Sequence, residues 1–174
     1  MSLSQTNNHL RPISRHTTTN NPSNLVIFHP CQTLCPQVTL PDGVKITFCY
    51  GASVHFPIKV ANDEDILSYS DLIENTPGIV IPHGIALCIV EILTRYTSPM
   101  HRTASVNFNV VMEGAVELIL DSGEKRTSKR RDCVIQRVVN HAWRNTSEAE
   151  WARISAVPIP AEEFRSREDL GKQN

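Results

Sequence analysis

The sequence lacks a long apolar run and an excess of charge of either sign. No stretch reaches the roughly 18 consecutive apolar residues of a transmembrane helix, so no membrane span is predicted. Lysine and arginine number 17 against 18 aspartate and glutamate residues, so the formal net charge is −1. That balance gives no broad field for nucleic acid or anionic lipid. We expect the short basic segment 124–131 (EKRTSKRR) to be a solvated hairpin rim.

Cysteine and the N-terminus exclude other classes. The five cysteines are odd in number, and the pair Cys31 and Cys35 has no second pair at zinc-finger spacing. The first 21 residues, MSLSQTNNHLRPISRHTTTNN, contain no apolar core of a secretory signal. We therefore predict a cytoplasmic protein with free thiols and no structural zinc.

Short apolar segments separated by turn residues make up most of the chain. Strands are predicted at 25–29, 44–50, 85–93, 108–114, 115–121, 132–139, 141–145 and 151–160. Acidic residues followed by apolar residues at helical spacing predict one short helix over 62–75. Residues 1–23, rich in Thr, Asn and Ser, predict a disordered tail, and 164–174 predict a polar tail. The rhythm predicts an all-β domain over 24–163, an antiparallel sandwich or barrel.

Three segments carry a family resemblance: SPMHRT (98–103), VVMEGAVELILDSGE (110–124) and VIQRVVNHAWRN (134–145). With them, the region from about residue 56 to 163 resembles a single-domain cupin. In particular, it is similar to the small cupins encoded in fungal secondary-metabolite clusters. The resemblance implies an antiparallel jelly-roll barrel after the short helix, and a homodimer.

The resemblance also places this chain's residues on the cupin metal motif. His101 and His141 match two ligand positions, and Asn145 follows His141 at the family spacing. The two remaining ligand positions hold Thr103 and Asn107. Because neutral asparagine does not balance a metal's charge, we predict no metal cofactor. If a metal did bind, it would be iron or manganese, held by His101, His141 and Asn107.

Turn glycines of the family pattern are replaced as well. Arg95 and Val138 stand where the motif has glycine, and a proline–glycine–aspartate turn reads RRD at 130–132. Glycine is the residue that tolerates positive φ without strain. We therefore expect either that the chain re-routes these turns or that these positions do not need positive φ.

The surviving motif residues predict proton chemistry. An imidazole accepts or donates a proton near neutral pH, so His101 and His141 are the predicted acid and base. Thr103 and Asn107 would hydrogen-bond a carbonyl group and stabilise an enolate. The predicted substrate-binding residues are Tyr96, Phe108, Met112, Arg137 and Trp143.

Three functions remain open. The first is a metal-independent dehydration, isomerisation or cyclisation of a small apolar biosynthetic intermediate. The second is a metal-dependent cupin oxidoreductase containing iron or manganese. The third is a non-catalytic small-molecule-binding cupin, in which His101 and His141 would be core residues.

Overall fold

A computed structural model describes residues 10–30, 35–53, 57–75 and 78–162. The strands in these ranges are β1 (Thr18–Asn20), β2 (Val26–Phe28), β3 (Gln37–Thr39), β4 (Lys45–Ser53), β5 (Gly84–Ile92), β6 (His101–Arg102), β7 (Ser105–Glu113), β8 (Ala115–Leu120), β9 (Lys125–Lys129), β10 (Cys133–Arg137), β11 (Asn140–Asn145) and β12 (Ala152–Pro160). A 3-10 turn, Ala61–Asp63, leads into helix α1 (Glu64–Glu74).

The strands form two facing sheets and a separate hairpin. The larger sheet has the order β10-β7-β12-β5-β4-β3, the smaller has β6-β11-β8-β9, and β1 pairs with β2. Every described pairing is antiparallel. The fold is therefore the all-β jelly-roll barrel that the sequence predicts.

Side chains alternate across the sheets with the period of two that a strand imposes. On β7, Asn107, Asn109 and Val111 are buried, whereas Phe108 and Met112 are exposed. Val116 on β8 is fully buried and packs with Val111 between the sheets. This alternation decides which residues can reach the barrel interior.

Helix α1 packs on β4 at one side of the barrel. Its acidic first turn contains Glu64 and Asp65, which favours the helix N-terminus. Tyr69 is buried, stacks on Tyr50, and donates a hydrogen bond to the carbonyl of Phe48 at 2.7 Å. The helix is confirmed with bounds one to two residues inside the predicted ones.

The tail predicted to be disordered is described from residue 10 onward, and that part differs from the expectation. Strand β1 pairs with β2, and the carbonyl of Arg11 accepts a hydrogen bond from Arg153 at 2.8 Å. Arg153 also forms an ion pair with Glu91, and both side chains are buried. The segment therefore helps to satisfy a buried charge. Residues 1–9 and 163–174, including the predicted polar tail, lie outside the described residues.

All eight predicted strands are present, with ends shifted by up to three residues. The sequence analysis missed β1, β3, β6 and β9, which are short or charged. Strand β9 lies within the basic segment 124–131, and its pairing with β8 makes that segment part of a hairpin as expected. Across the described ranges, α1 and the other helical turn fall short of the length and apolarity needed to cross a bilayer.

Candidate active site

A cavity of about 330 Å³ lies between the two sheets. Strand residues of the larger sheet form its apolar wall: Val44, Ile46, Val90, Ile92, Ile154 and Ala156. The polar lining residues are Asp42, Tyr96, Ser98, His101, Thr103, Asn107, Asn109, Gln136 and His141. A largely apolar pocket with a few convergent polar groups is the usual form of a small-molecule site.

The cavity brings the two predicted histidines together. His101 on β6 is the direct cross-strand partner of His141 on β11, so both side chains lie on the same sheet face. Their ring centroids are 4.4 Å apart, with planes inclined by 51°. Trp143, two residues along β11, places its ring 6.3 Å from that of His141. The pairing register alone therefore explains why these rings meet.

Backbone carbonyls fix the tautomer of both rings. Nδ1 of His101 lies 2.9 Å from the carbonyl oxygen of Pro99, and Nδ1 of His141 lies 3.0 Å from that of Val139. A carbonyl oxygen only accepts, so each Nδ1 carries the hydrogen. In a neutral ring the Nε2 atom then holds the free lone pair. Neither Nε2 has a hydrogen-bond partner among the described residues.

The two rings differ in burial. His141 is 2% exposed, whereas His101 is exposed to solvent at the cavity. Burial lowers the pKa of His141 from its ordinary value, and the nearby His101 lowers it further, against an opposing hydrogen bond to Val139. His141 is therefore neutral at pH 7, with Nε2 available as a base.

Asn107 faces the histidines from the opposite sheet. Its Oδ1 accepts a hydrogen bond from the buried Ser105 hydroxyl at 2.6 Å, and its Nδ2 lies 3.5 Å from Oγ1 of Thr103. The strong bond holds the amide orientation, while the long one leaves Nδ2 with donor capacity. Thr103 and Asn107 can therefore donate to a ligand oxygen, as predicted.

The donor set does not fit the metal that the motif implies. Among the described residues, no group of three or more His, Cys, Asp or Glu side chains could hold a metal ion. Only His101 and His141 supply strong ligands, and Oδ1 of Asn107 is already an acceptor for Ser105. Without a carboxylate, nothing here balances a divalent charge in a mostly apolar cavity.

The predicted substrate-binding residues divide into two groups. Tyr96 and Trp143 line the cavity. Phe108, Met112 and Arg137 do not, and they are exposed on the outer face of the larger sheet. Because Asn107 points inward on β7, Phe108 must point outward. The prediction of pocket contact was therefore wrong for these three residues.

The sequence analysis missed two buried amides, Asn109 and Gln136. Asn109 follows Asn107 by two residues, so the period of β7 could have revealed it. Gln136 is the cross-strand partner of Asn107, and that register is not readable from the sequence. Nδ2 of Asn109 donates to Oε1 of Gln136 at 3.0 Å.

Tyr96 closes the cavity mouth against the β3–β4 turn. Its hydroxyl donates a short hydrogen bond to Asp42. Burial, together with this bond and the charge of Asp42, raises the pKa of Tyr96 to about 12. The phenol therefore stays protonated and contributes a contact rather than a base.

The replaced glycines keep the backbone conformation of a glycine. Arg95, Arg131 and Val138 have φ of 57°, 81° and 51°. Both expectations for these turns were wrong, because the chain neither re-routes them nor adopts negative φ. Backbone bonds hold each residue in place: Arg95 N–H to Ser147, Arg131 N–H to Val111, and Val138 N–H to Ser105.

Solved structures give weak overall similarity. An RmlC-like cupin from Shewanella frigidimarina superposes with a TM-score of 0.46 at 11% identity, covering 78% of this chain and 88% of that one. A putative ethanolamine utilization protein Q from Salmonella typhimurium gives 0.47 at 12% identity, covering 87% and 99%. No family model matches the sequence.

Sequence relatives are more informative. Phomopsin biosynthesis cluster protein D of Diaporthe leptostromiformis is 35% identical over 160 residues, which is 87% of this chain and 80% of that protein. A cupin-domain-containing oxidoreductase of Hypocrea virens is 37% identical over 89 residues, 51% of this chain and 44% of that protein. Together with the jelly-roll topology, these similarities show that the chain belongs to the small cupins of fungal secondary-metabolite biosynthesis clusters.

Proposed function

We propose that this protein is a metal-independent acid–base enzyme of a secondary-metabolite pathway. The observation that carries the proposal is the His101–His141 pair, 4.4 Å between ring centroids, with both Nδ1 atoms hydrogen-bonded to backbone carbonyls and no carboxylate beside them. The reaction class is a dehydration, isomerisation or cyclisation. Each needs a positioned base and acid and no redox centre.

His141 is the base in this proposal. Its neutral Nε2 removes a proton from the carbon next to a substrate carbonyl, leaving an enolate. Exposed His101, in its protonated form, then gives a proton to the departing hydroxyl in a dehydration, or to carbon in an isomerisation. Transfer of the proton from His141 back to His101 restores the starting state, and the short ring separation favours that transfer.

Thr103 and Asn107 stabilise the enolate oxygen. The Asn107 amide is already oriented by its 2.6 Å bond with Ser105, so no reorganisation is needed when charge develops. The apolar wall excludes water and strengthens these hydrogen bonds. The substrate we propose is correspondingly a small, mostly apolar intermediate.

A metal-dependent oxidoreductase is the second candidate. It is favoured by the names of several relatives, including the Hypocrea virens protein, and by the free Nε2 atoms of both histidines. Ligand histidines usually have Nδ1 bonded in this manner. Against it stands the shortage of anionic ligands described above.

Genetic complementation tests the proposal before the substrate is known. Deleting the gene in its host should cause an intermediate to accumulate, and that compound is then supplied to purified protein. His101→Ala and His141→Ala should each abolish turnover, whereas wild-type protein treated with EDTA should stay active. His83→Ala, which changes an exposed histidine away from the cavity, is the matched control. Loss of activity on EDTA treatment, restored by iron or manganese, would reject this mechanism.

Two further expectations belong to the same proposal. The described cysteines Cys35, Cys49, Cys88 and Cys133 are free thiols. We propose a cytoplasmic location on this ground, because free thiols are typical of a reducing compartment. We also propose that the protein is a homodimer, and a test is given in the Discussion.

A further inference from the structure

Two buried amides, Asn109 and Gln136, lie beside the catalytic pair without a role in the proton chemistry. Both line the cavity, and they are 4% and 3% exposed. Asn109 donates through Nδ2 to Oε1 of Gln136 at 3.0 Å and to the carbonyl of Val134 at 3.2 Å. We refer to these two side chains as the amide pair.

The hydrogen bonding of the amide pair is incomplete. Nε2 of Gln136 is buried and has no hydrogen-bond partner among the described residues. A terminal amide has two N–H donors, and a buried donor without an acceptor is costly. The last torsion of a glutamine is soft, so a small rotation can turn Nε2 towards the cavity while β10 stays fixed. A ligand oxygen there would satisfy it.

The charge of the lining narrows the class of ligand. Among the described residues, the formally charged side chain that lines the cavity is Asp42, at the mouth beside Tyr96. His141 is neutral because burial lowers its pKa. No arginine or lysine of the described ranges lines the cavity to pair with an anion. A carboxylate buried here would lose its hydration without gaining a counter-ion.

We propose that the amide pair binds an uncharged carbonyl group, so that the cavity selects ketones, lactones or amides over free carboxylic acids. This proposal deepens the proposed function, because it names the class of substrate presented to His101 and His141. It rests on the cavity being the ligand site. It does not depend on whether the chemistry there uses a metal.

The test measures binding, with matched probes on the full chain. 4-Phenylbutyramide and 4-phenylbutyrate share one apolar body and differ in charge at the polar end. Calorimetric titration at pH 7.5 should show the amide binding at least about tenfold more tightly than the carboxylate. 4-Phenyl-2-butanone, an uncharged ketone, should behave like the amide.

Variants then locate the preference at the amide pair. Gln136→Leu should weaken amide binding by about five- to tenfold, the effect of one neutral hydrogen bond, and leave carboxylate binding unchanged. Ile135→Thr, on the outer face of the same strand, should bind the amide like wild type. If Gln136→Leu does not fold, Gln136→Met has a closer shape and serves the same purpose.

Three results would overturn the proposal: no binding of the uncharged probes at millimolar concentration, equal binding of amide and carboxylate, or full amide affinity in the Gln136 variant. A metal requirement for turnover would reject the proposed acid–base mechanism and leave these binding results standing. Conversely, loss of the amide preference would reject the substrate class and leave the EDTA result standing.

Discussion

At the scale of single residues, two backbone carbonyls determine what the histidine pair can do. Pro99 and Val139 fix the hydrogen on Nδ1 of His101 and His141, so both rings turn the same nitrogen to other partners. In many cupins such nitrogens bind a metal. Here Asn107 occupies a position where the motif has a carboxylate, and its oxygen accepts from Ser105. One side-chain change therefore separates ion binding from proton transfer.

The first prediction concerns stability and pH. The pKa of His141 is lowered by burial from its ordinary 6.5, so below that pH the unfolded chain takes up a proton that the folded chain resists. The free energy of unfolding should fall as the pH is lowered from 7 through 6.5 and towards 5. His141→Gln should reduce this dependence. Urea unfolding at several pH values measures it, and an identical slope in both proteins would contradict the assignment.

The second prediction restores the missing ligands. Thr103→His with Asn107→Asp supplies an imidazole and a carboxylate facing His101 and His141. The double variant should bind one Mn²⁺ or Fe²⁺ at least about a hundredfold more tightly than wild type, because anionic ligands govern such affinity. Titration calorimetry measures the affinity. The same variant with His141→Ala should lose the gain, and equal binding by wild type would show that Asn107 is no obstacle.

At the scale of elements, the turns around the site hold strained residues. A β-branched residue at positive φ is unusual, and Val138 adopts φ of 51° immediately before the strand that supplies His141. By contrast, the β7–β8 turn keeps its glycine: Gly114 has φ of 72°, and an added Cβ would lie 3.2 Å from Ala152. Crowding explains the retained glycine, whereas strain is tolerated at the open turn.

The third prediction tests this strain. Val138→Gly removes a conformational cost of about 1–3 kcal/mol and loses some side-chain burial, so a net gain of about 1 kcal/mol in the free energy of unfolding is expected. Thermal unfolding should rise by a few degrees. Val134→Gly, in the extended strand β10, is the control and should destabilise. A loss of stability in Val138→Gly would show that the turn is not strained.

The element scale also shows where sequence reasoning reached its limit. The period of two on β7 and the motif spacing were sufficient to predict the jelly roll and to choose His101, Thr103, Asn107 and His141. They were not sufficient for Phe108, Met112 and Arg137, because motif matching says nothing about which face a neighbouring residue occupies. Gln136 required a cross-strand register, which non-local pairing sets.

At the scale of the whole molecule, one outer sheet face exposes an apolar patch. Phe108, Val110 and Met112 of β7 and Ile135 of β10 are 45%, 40%, 39% and 53% exposed, and Ile135 pairs directly with Phe108. We call these four residues the outer patch. Contiguous exposed apolar surface of this kind commonly marks an interface.

The fourth prediction assigns the outer patch to the proposed homodimer. Light scattering after gel filtration should give twice the chain mass for wild type. Phe108→Asp with Ile135→Asp should give the monomer mass, because a charge buried in an apolar interface loses its hydration. Leu67→Asp, which changes an exposed apolar residue on α1, should remain dimeric. A monomeric wild type, or a dimeric double variant, would contradict the assignment.

The central claim is that two imidazoles in this barrel move protons and do not hold an ion. Metal analysis of protein freshly purified from its native host, without chelators or affinity metals, tests it most directly. The account predicts iron, manganese and zinc far below one ion per chain, with the same trace content in His141→Ala. Close to one iron or manganese per chain, lost in His141→Ala, would contradict it.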